Sequence, residues 1–292
     1  MAKVLIFGAN GQLGVELTRE FSAREHNVAA FTRREADIAD ASRVDAVFAA
    51  AFPSQVPEIV INAAAYNQVD VAEREPLAAY QANGLAVRNL AIACRQSDAK
   101  LVHFSSDYVF DGSASHPYTE EDVPHPLSAY AVSKLAGELY VRAYLDRALI
   151  IRTSGVFGPG GRHTARGNFV ELMLRLAANG QPIRVVEDHF ASPTYAPALA
   201  ERTAQLIEHG ADGTFHLGGG AAISWFDWAR KIFEAAGLNP PLKPTNEREF
   251  RAPARRPKYS ALSNGKAEMI GIVPMPSLEE AVRIYLSVRG PQ

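Results

Sequence analysis

The sequence predicts an α/β protein: a Rossmann-like, doubly wound parallel sheet followed by a smaller mixed α/β lobe. Three observations carry this. Short β-branched apolar runs alternate with longer stretches of helical period, the pattern of βαβ units. A glycine-rich turn follows the first run and opens the first helix. After Thr153 the alternation loosens, where Gly158-Pro-Gly-Gly161 makes a loop.

In chain order, strands are expected near Lys3–Phe7, Asn27–Phe31, Ile59–Asn62, Leu101–Ser105 and Ala148–Thr153. Each precedes a helix-like stretch, clearest from Leu77 to Arg95, and right-handed crossovers then put helices on both faces. A helix follows near Asn168–Ala178, a strand near Ile183–Val186, a helix over Pro197–Ile207 and a strand near Thr214–Leu217. The Pro- and Arg-rich stretch Asn239–Pro257 reads as an ordered loop or clamp. Residues 1–154 are expected to form a dinucleotide-binding domain to which the segment 195–217 returns, and residues 155–292 mainly a substrate-binding lobe.

Of the 292 residues, 47% are hydrophobic and 21% charged, which excludes a disordered or fibrous chain. Lys plus Arg 30 against Asp plus Glu 32 leaves no basic excess for a nucleic acid. No apolar run approaches the roughly 18 residues of a membrane span, and Val4–Phe7 is too short for a signal-peptide core. The single cysteine, Cys94, suits a reducing cytoplasm and reads as core filler in an Ala-rich helix. No metal site is expected. His103, His125 and His163 show no zinc spacing and read as structural or solvated, and Glu120-Glu-Asp122 reads as a solvated turn or helix start. Trp225 and Trp228 read as helix packing, and no Gly-x-Ser-x-Gly elbow supports a hydrolase.

The chemistry begins at Gly8-Ala-Asn-Gly11-Gln-Leu-Gly14, where glycine allows a tight turn and close approach of a pyrophosphate to a helix N-terminus. The acid that would hold an adenosine ribose 2′-hydroxyl is missing at the end of the second strand. Arg33 and Arg34 stand there, and a guanidinium suits a 2′-phosphate. The bland alternative is a pair of solvated arginines, and Asp37 in Asp37-Ile-Ala-Asp40 could instead meet the adenine amino group. Tyr130 and Lys134, four apart, share one helix face, so an ammonium can tune a phenol that is otherwise a poor acid. Ser105-Ser106-Asp107-Tyr108 ends the fourth strand, at the sheet edge where open α/β folds bind ligands.

With these motifs the chain resembles the extended short-chain dehydrogenase/reductases, most closely their dTDP-4-dehydrorhamnose reductase branch. The matches run from Gly8–Gly14 through Asn62-Ala-Ala-Ala65, Val69-Asp70 with Ala72-Glu73, and Ser106-Asp-Tyr-Val-Phe-Asp-Gly112. They continue with Tyr130–Lys134 and Leu-Ala-Gly-Glu138, Arg152-Thr-Ser154, Asn168-Phe169, Ser192-Pro-Thr194 and Pro253-Ala-Arg-Arg-Pro257. The resemblance implies NAD(P)H-dependent reduction of the C4 ketone of a nucleotide-linked 4-keto-6-deoxy sugar, by a cytoplasmic monomer or homodimer. NADPH is the preferred cofactor and NADH a possible one.

It makes Tyr130 the general acid, Lys134 its pKa-lowering partner and ribose ligand, and Ser106 the hydroxyl that orients the carbonyl. Gly8, Asn10, Gly11, Gln12, Leu13 and Gly14 fall to the cofactor, with Arg33, Arg34, Asp37, Ile38, Asn62, Ala63, Ala64 and Ala65. Ser106, Asp107, Tyr108, Gly155, Asn168, Arg255 and Arg256 fall to the substrate, though the arginine pair beside Pro257 reads equally as a brace for the C-terminal loop. Gly155 replaces the branch's usual tryptophan, and His189 and Ala191 also depart from its pattern; a wider or differently filled sugar site, selecting another sugar, is the expectation. A 4,6-dehydratase would need an acid where Tyr108 stands. A 4-epimerase, or a non-catalytic regulatory subunit on the same fold, is the alternative.

Overall fold

The computed structural model describes residues 1–53, 55–164 and 167–289. Its centre is a six-stranded parallel sheet. β1 is Lys3–Phe7, β2 Asn27–Phe31, β3 Ile59–Asn62, β4 Lys100–Ser106 and β5 Ala148–Thr153. The order is β2-β1-β3-β4-β5, with the strand Gly213–His216 paired outside β5. The chain therefore runs out from β1 to β2, then back past β1 to β3. That reversal opens a crevice at the carboxyl ends of β1 and β3.

Alternation along β1 divides the core. Val4 and Ile6 pack on one face with Leu17 and Phe21 of the helix Gln12–Ala23 and Leu199 of the helix Ala196–Glu208. Leu5 and Phe7 pack on the other with Val44, Leu90 and Cys94. Burial pushes the Cys94 thiol well up, so it behaves as an apolar filler.

The helix expected from Leu77 to Arg95 is one continuous rod with a defect: α-helix over Pro76–Tyr80, a π-turn over Gln81–Leu85, then α-helix over Ala86–Ser97. The π-turn carries the buried Asn83, and such turns often lie at functional sites.

In the second lobe, helices Phe169–Ala178, Trp225–Ala236 and Leu278–Arg289 close over Phe157, Trp228 and Tyr285. The expectation of a loop over Asn239–Pro257 is corrected in part: Leu242–Thr245 is a strand parallel to Ile183–Val186, and Glu247–Phe250 a short helix. Pro240, Pro241 and Pro244 hide the strand in sequence, yet a two-stranded sheet tolerates proline at its edge.

No described helix is long and apolar enough to cross a membrane, and the described residues contain no group of His, Cys, Asp and Glu that could hold a metal ion. His125 is exposed beside Asp111, His103 is buried, and the side chain of His163 lies outside the described residues. Glu120-Glu-Asp122 is a turn with Glu121 exposed; the half-buried Glu120 accepts from the backbone N–H of His216 at 2.7 Å, while Asp122 closes the turn on Thr119.

Candidate active site

Three sequence motifs meet at the carboxyl end of β4. Ser106 is its last residue, and Tyr130 and Lys134 lie in the helix Ala129–Tyr144, capped by Ser128. Ser106 is near enough to Tyr130 to act on its phenol, and the Tyr108 ring stands edge-on to the Tyr130 ring at 6.1 Å. Lys134 is buried, and its Nζ donates to the carbonyl of Phe104 at 2.6 Å. Burial brings the Lys134 ammonium down to about 8, against the pull of Glu138.

The phenol does not follow the expected direction. Burial pushes Tyr130 up to about 12, with Ser106 opposing and Asp107 adding to the rise. The ammonium of Lys134 is committed to a β4 carbonyl rather than to the phenol, so Tyr130 is held as a proton donor.

Behind this pair, Asn83 donates to Ser133 Oγ at 3.0 Å and to the Tyr66 carbonyl at 2.8 Å, and Ser133 Oγ donates to the Tyr130 carbonyl at 2.7 Å. The π-turn is thus tied to the helix bearing Tyr130, a link that sequence reasoning missed. Its only signal was an asparagine inside an otherwise Ala-rich helical run.

The cofactor side is a cradle at the β1/β3 crevice. Gly8 has φ +80°, and a Cβ there would lie 2.6 Å from the Ala64 nitrogen, so only glycine lets the two loops meet. Gly11 caps the helix that begins at Gln12, whose first-turn N–H groups face outward along the helix axis. Leu13 packs against the core, as does the buried Ile38 of the other face. Asn62 shapes its own loop, accepting from Ala64 N at 3.1 Å and pairing with His103 Nδ1 at 3.2 Å, with Ala63 bonded to Phe7.

At the end of β2 lies a cavity of about 530 Å³ lined by Asn10, Arg33, Arg34, Asp37, Asp40 and Arg43. Asp37 accepts from Arg33 Nε at 3.0 Å. Arg43 is the residue the sequence reading missed; the signal available was Asp40, a helix N-cap that places Arg43 one turn on. A concave surface with three guanidinium groups fits a phosphate monoester.

On the substrate side the assigned residues divide. Asp107 is buried, and Ser106, Ser154 and Ser260 occupy its oxygens. Arg256 Nη2 is bound to Asp70 Oδ2 at 2.8 Å, so it ties the C-terminal segment to the short helix Val69–Ala72. Arg255 is exposed.

Asn168 faces the first helix instead: its Nδ2 donates to Gln12 Oε1 at 3.0 Å, and Gln12 Nε2 donates to the Val156 carbonyl at 2.6 Å. At Gly155 the expected widening is not seen. A Cβ there would lie 3.3 Å from Pro193 Cα and 3.8 Å from the Trp228 ring, and φ is +49°. Glycine is needed for the backbone, and Pro193 and Trp228 fill the place beside it.

Comparison with known proteins agrees with this geometry. The RmlD substrate binding domain family matches residues 2–289. Spore coat polysaccharide biosynthesis protein SpsK of Bacillus subtilis is 39% identical over 290 residues, 99% of each chain. The dTDP-4-dehydrorhamnose reductase of Mycolicibacterium smegmatis is 37% identical, over 96% of this chain and 84% of its own. Among solved structures, dTDP-4-dehydrorhamnose reductase from Bacillus anthracis in complex with NADP superposes with a TM-score of 0.92 at 37% identity, covering 98% of this chain and 99% of the other.

Proposed function

Because the chain belongs to the RmlD substrate binding domain family, we propose that it is an NAD(P)H-dependent reductase of the C4 ketone of a nucleotide-linked 4-keto-6-deoxy sugar, with dTDP-4-dehydrorhamnose as its substrate. The observation that carries this reading is the meeting of Ser106, Tyr130 and the buried Lys134 at the sheet edge next to the glycine loop. NADPH is the preferred cofactor and NADH the alternative. When bound, the reduced nicotinamide supplies a hydride to the ketone carbon.

The chain's own residues do the rest. The loop Gly8–Gly14 receives the pyrophosphate, Arg33, Arg34 and Arg43 the 2′-phosphate, the loop from Asn62 to Ala65 flanks the cofactor, and Lys134 holds the nicotinamide ribose. Tyr130 gives its proton to the ketone oxygen as charge develops there, and Ser106 aligns that transfer. Arg256 holds the C-terminal segment to Asp70, and the exposed Arg255 is free to meet the nucleotide pyrophosphate. Residues 1–154 with the segment 195–217 form the cofactor half, and the remainder of 155–292 the substrate half. The enzyme works in the cytoplasm as a monomer or homodimer; the buried, lone Cys94 supports that compartment.

Against the 4-epimerase stands the arginine-lined cavity, which favours a cofactor bearing a 2′-phosphate. Against a non-catalytic subunit stands the intact Tyr130 and Lys134. The test is oxidation of NADPH and NADH with dTDP-, UDP- and GDP-linked 4-keto-6-deoxyhexoses, with product identification. Turnover of the dTDP sugar with NADPH is expected, and no turnover of any of them would overturn the reading.

A further inference from the structure

Asn62, the last residue of β3, and His103 of β4 are register partners in the parallel ladder, and both side chains are buried. Asn62 Oδ1 accepts the Ala64 N–H at 3.1 Å, and Asn62 Nδ2 lies 3.2 Å from His103 Nδ1. These two contacts fix where the protons are.

A backbone N–H only donates, so the Asn62 atom that meets Ala64 is the amide oxygen, and the atom that meets His103 is the amide nitrogen. That nitrogen also only donates. His103 Nδ1 is therefore the bare nitrogen of a neutral ring, and the proton sits on Nε2. Nothing else selects this tautomer: among the described residues Nε2 has no hydrogen-bond partner, and it lies 3.1 Å from where a Cβ on Gly137 would stand. Burial holds the imidazole well below its ordinary range, with the nearby Lys134 ammonium adding to the effect, so the ring stays neutral.

The turn after Asn62 is tied at several points. Ala63 N–H donates to the Phe7 carbonyl of β1 at 3.0 Å, Ala64 N–H to Asn62, and Tyr66 N–H to Asn83 Oδ1 at 2.8 Å. Gly8 seats directly on the Ala63–Ala64 peptide. The tie at Ala64 runs through an amide that has an accepting side and a donating side. His103 takes the donating side and so keeps the oxygen turned toward Ala64.

We propose that His103 is a positioning residue for the nicotinamide cofactor: its bare Nδ1 orients the Asn62 amide, which turns the Ala64 N–H inward and sets the loop Asn62–Ala65 against the glycine turn before the cofactor arrives. The inference rests on the reading of that loop as a wall of the cofactor site. A loop set in advance removes the ordering cost from binding.

The experiment has two arms. In the first, 15N NMR of the cofactor-free wild type at neutral pH reads the His103 ring nitrogens, assigned by their loss in His103→Asn. A bare Nδ1 and a protonated Nε2 are expected, and a protonated Nδ1 would overturn the inference.

In the second arm, fluorescence titration gives the NADPH Kd of wild type, His103→Leu and His103→Asn, with Tm for each. Leucine fills the place of the ring but accepts nothing, whereas the smaller asparagine can present Oδ1 where Nδ1 stood. His103→Leu is expected to raise Kd about tenfold, as the correctly set fraction of the loop falls by that factor, and His103→Asn to stay within about threefold of wild type. A role in packing alone predicts the opposite order, since asparagine leaves the larger void.

Wild-type affinity in His103→Leu would overturn the inference, as would a Kd in His103→Asn as high as in His103→Leu. Should the variants fail to fold, the tautomer in the wild type decides. A wild type that binds neither NADPH nor NADH would instead overturn the cofactor reading itself, and the inference with it.

Discussion

Glu138 and Arg152 meet in a two-point ion pair inside the molecule, Arg152 Nε to Oε1 at 2.9 Å and Nη2 to Oε2 at 2.8 Å. Ser105 Oγ donates to the same carboxylate at 2.5 Å. Glu138 is one helical turn beyond Lys134, so the pair ties the helix carrying Tyr130 and Lys134 to both β4 and β5.

Removing Arg152 leaves the buried Glu138 carboxylate with the exposed Arg142 as its remaining charged partner, Nη2 to Oε2 at 2.9 Å. Arg152→Ala is expected to cost about 3–5 kcal/mol in chemical denaturation, the usual penalty for breaking such a pair. Burial alone would raise the Glu138 carboxyl, but the Arg152 hydrogen bond and charge outweigh it and hold it below the ordinary range. A depressed carboxyl contributes stability that is full above its unfolded pKa of about 4.3 and is lost as pH falls through the folded value. Arg152→Ala should flatten that acid limb; a variant of near wild-type stability would refute the role.

Tyr130→Phe should bind NADPH normally and lose about 10² to 10⁴ in turnover, the worth of a positioned general acid. Lys134→Met should harm both turnover and cofactor affinity. Stopped-flow turnover and fluorescence titration separate the two effects, and a Lys134→Met variant with wild-type NADPH affinity would remove the ribose contact.

NADPH should bind more tightly than NADH, by a margin that shrinks with salt because the arginines are exposed. Arg34→Ala should narrow the margin most. Arg33→Ala and Arg43→Ala should each narrow it less, since Arg33 is already paired with Asp37 and Arg43 with Asp40. Equal affinities in wild type would return all three to the solvated surface.

Gly155→Trp should lower stability by about 1–3 kcal/mol, because a side chain at φ +49° pays the cost of the left-handed region. It should not improve kcat/KM for dTDP-4-dehydrorhamnose. A higher kcat/KM at unchanged Tm would show that the missing indole matters after all.

The bounds of β1, β2, β3 and β5 were readable because each is a short apolar run flanked by turn residues. Ser106, Tyr130 and Lys134 were readable because spacing and sheet position are local facts. What stayed hidden depends on partners remote in sequence. Gln12 and Asn168 looked like ligand residues, yet they bond to one another across 156 positions. Lys134 was expected to act on a phenol, and its partner proved to be a backbone carbonyl, which has no sequence signature. Asp107 read as a substrate contact because nothing in the chain near it announces Ser154 or Ser260.

The position of Gly213–His216 outside β5 has a consequence for synthesis. About 60 residues separate Thr153 from Gly213, so at about 5–20 residues per second the ribosome needs roughly 3–12 s to supply the strand that covers the β5 edge. Through that interval an apolar parallel edge stands bare, a template for pairing with another nascent chain. A product terminated between those residues keeps that edge for good, and should aggregate rather than survive as a smaller reductase.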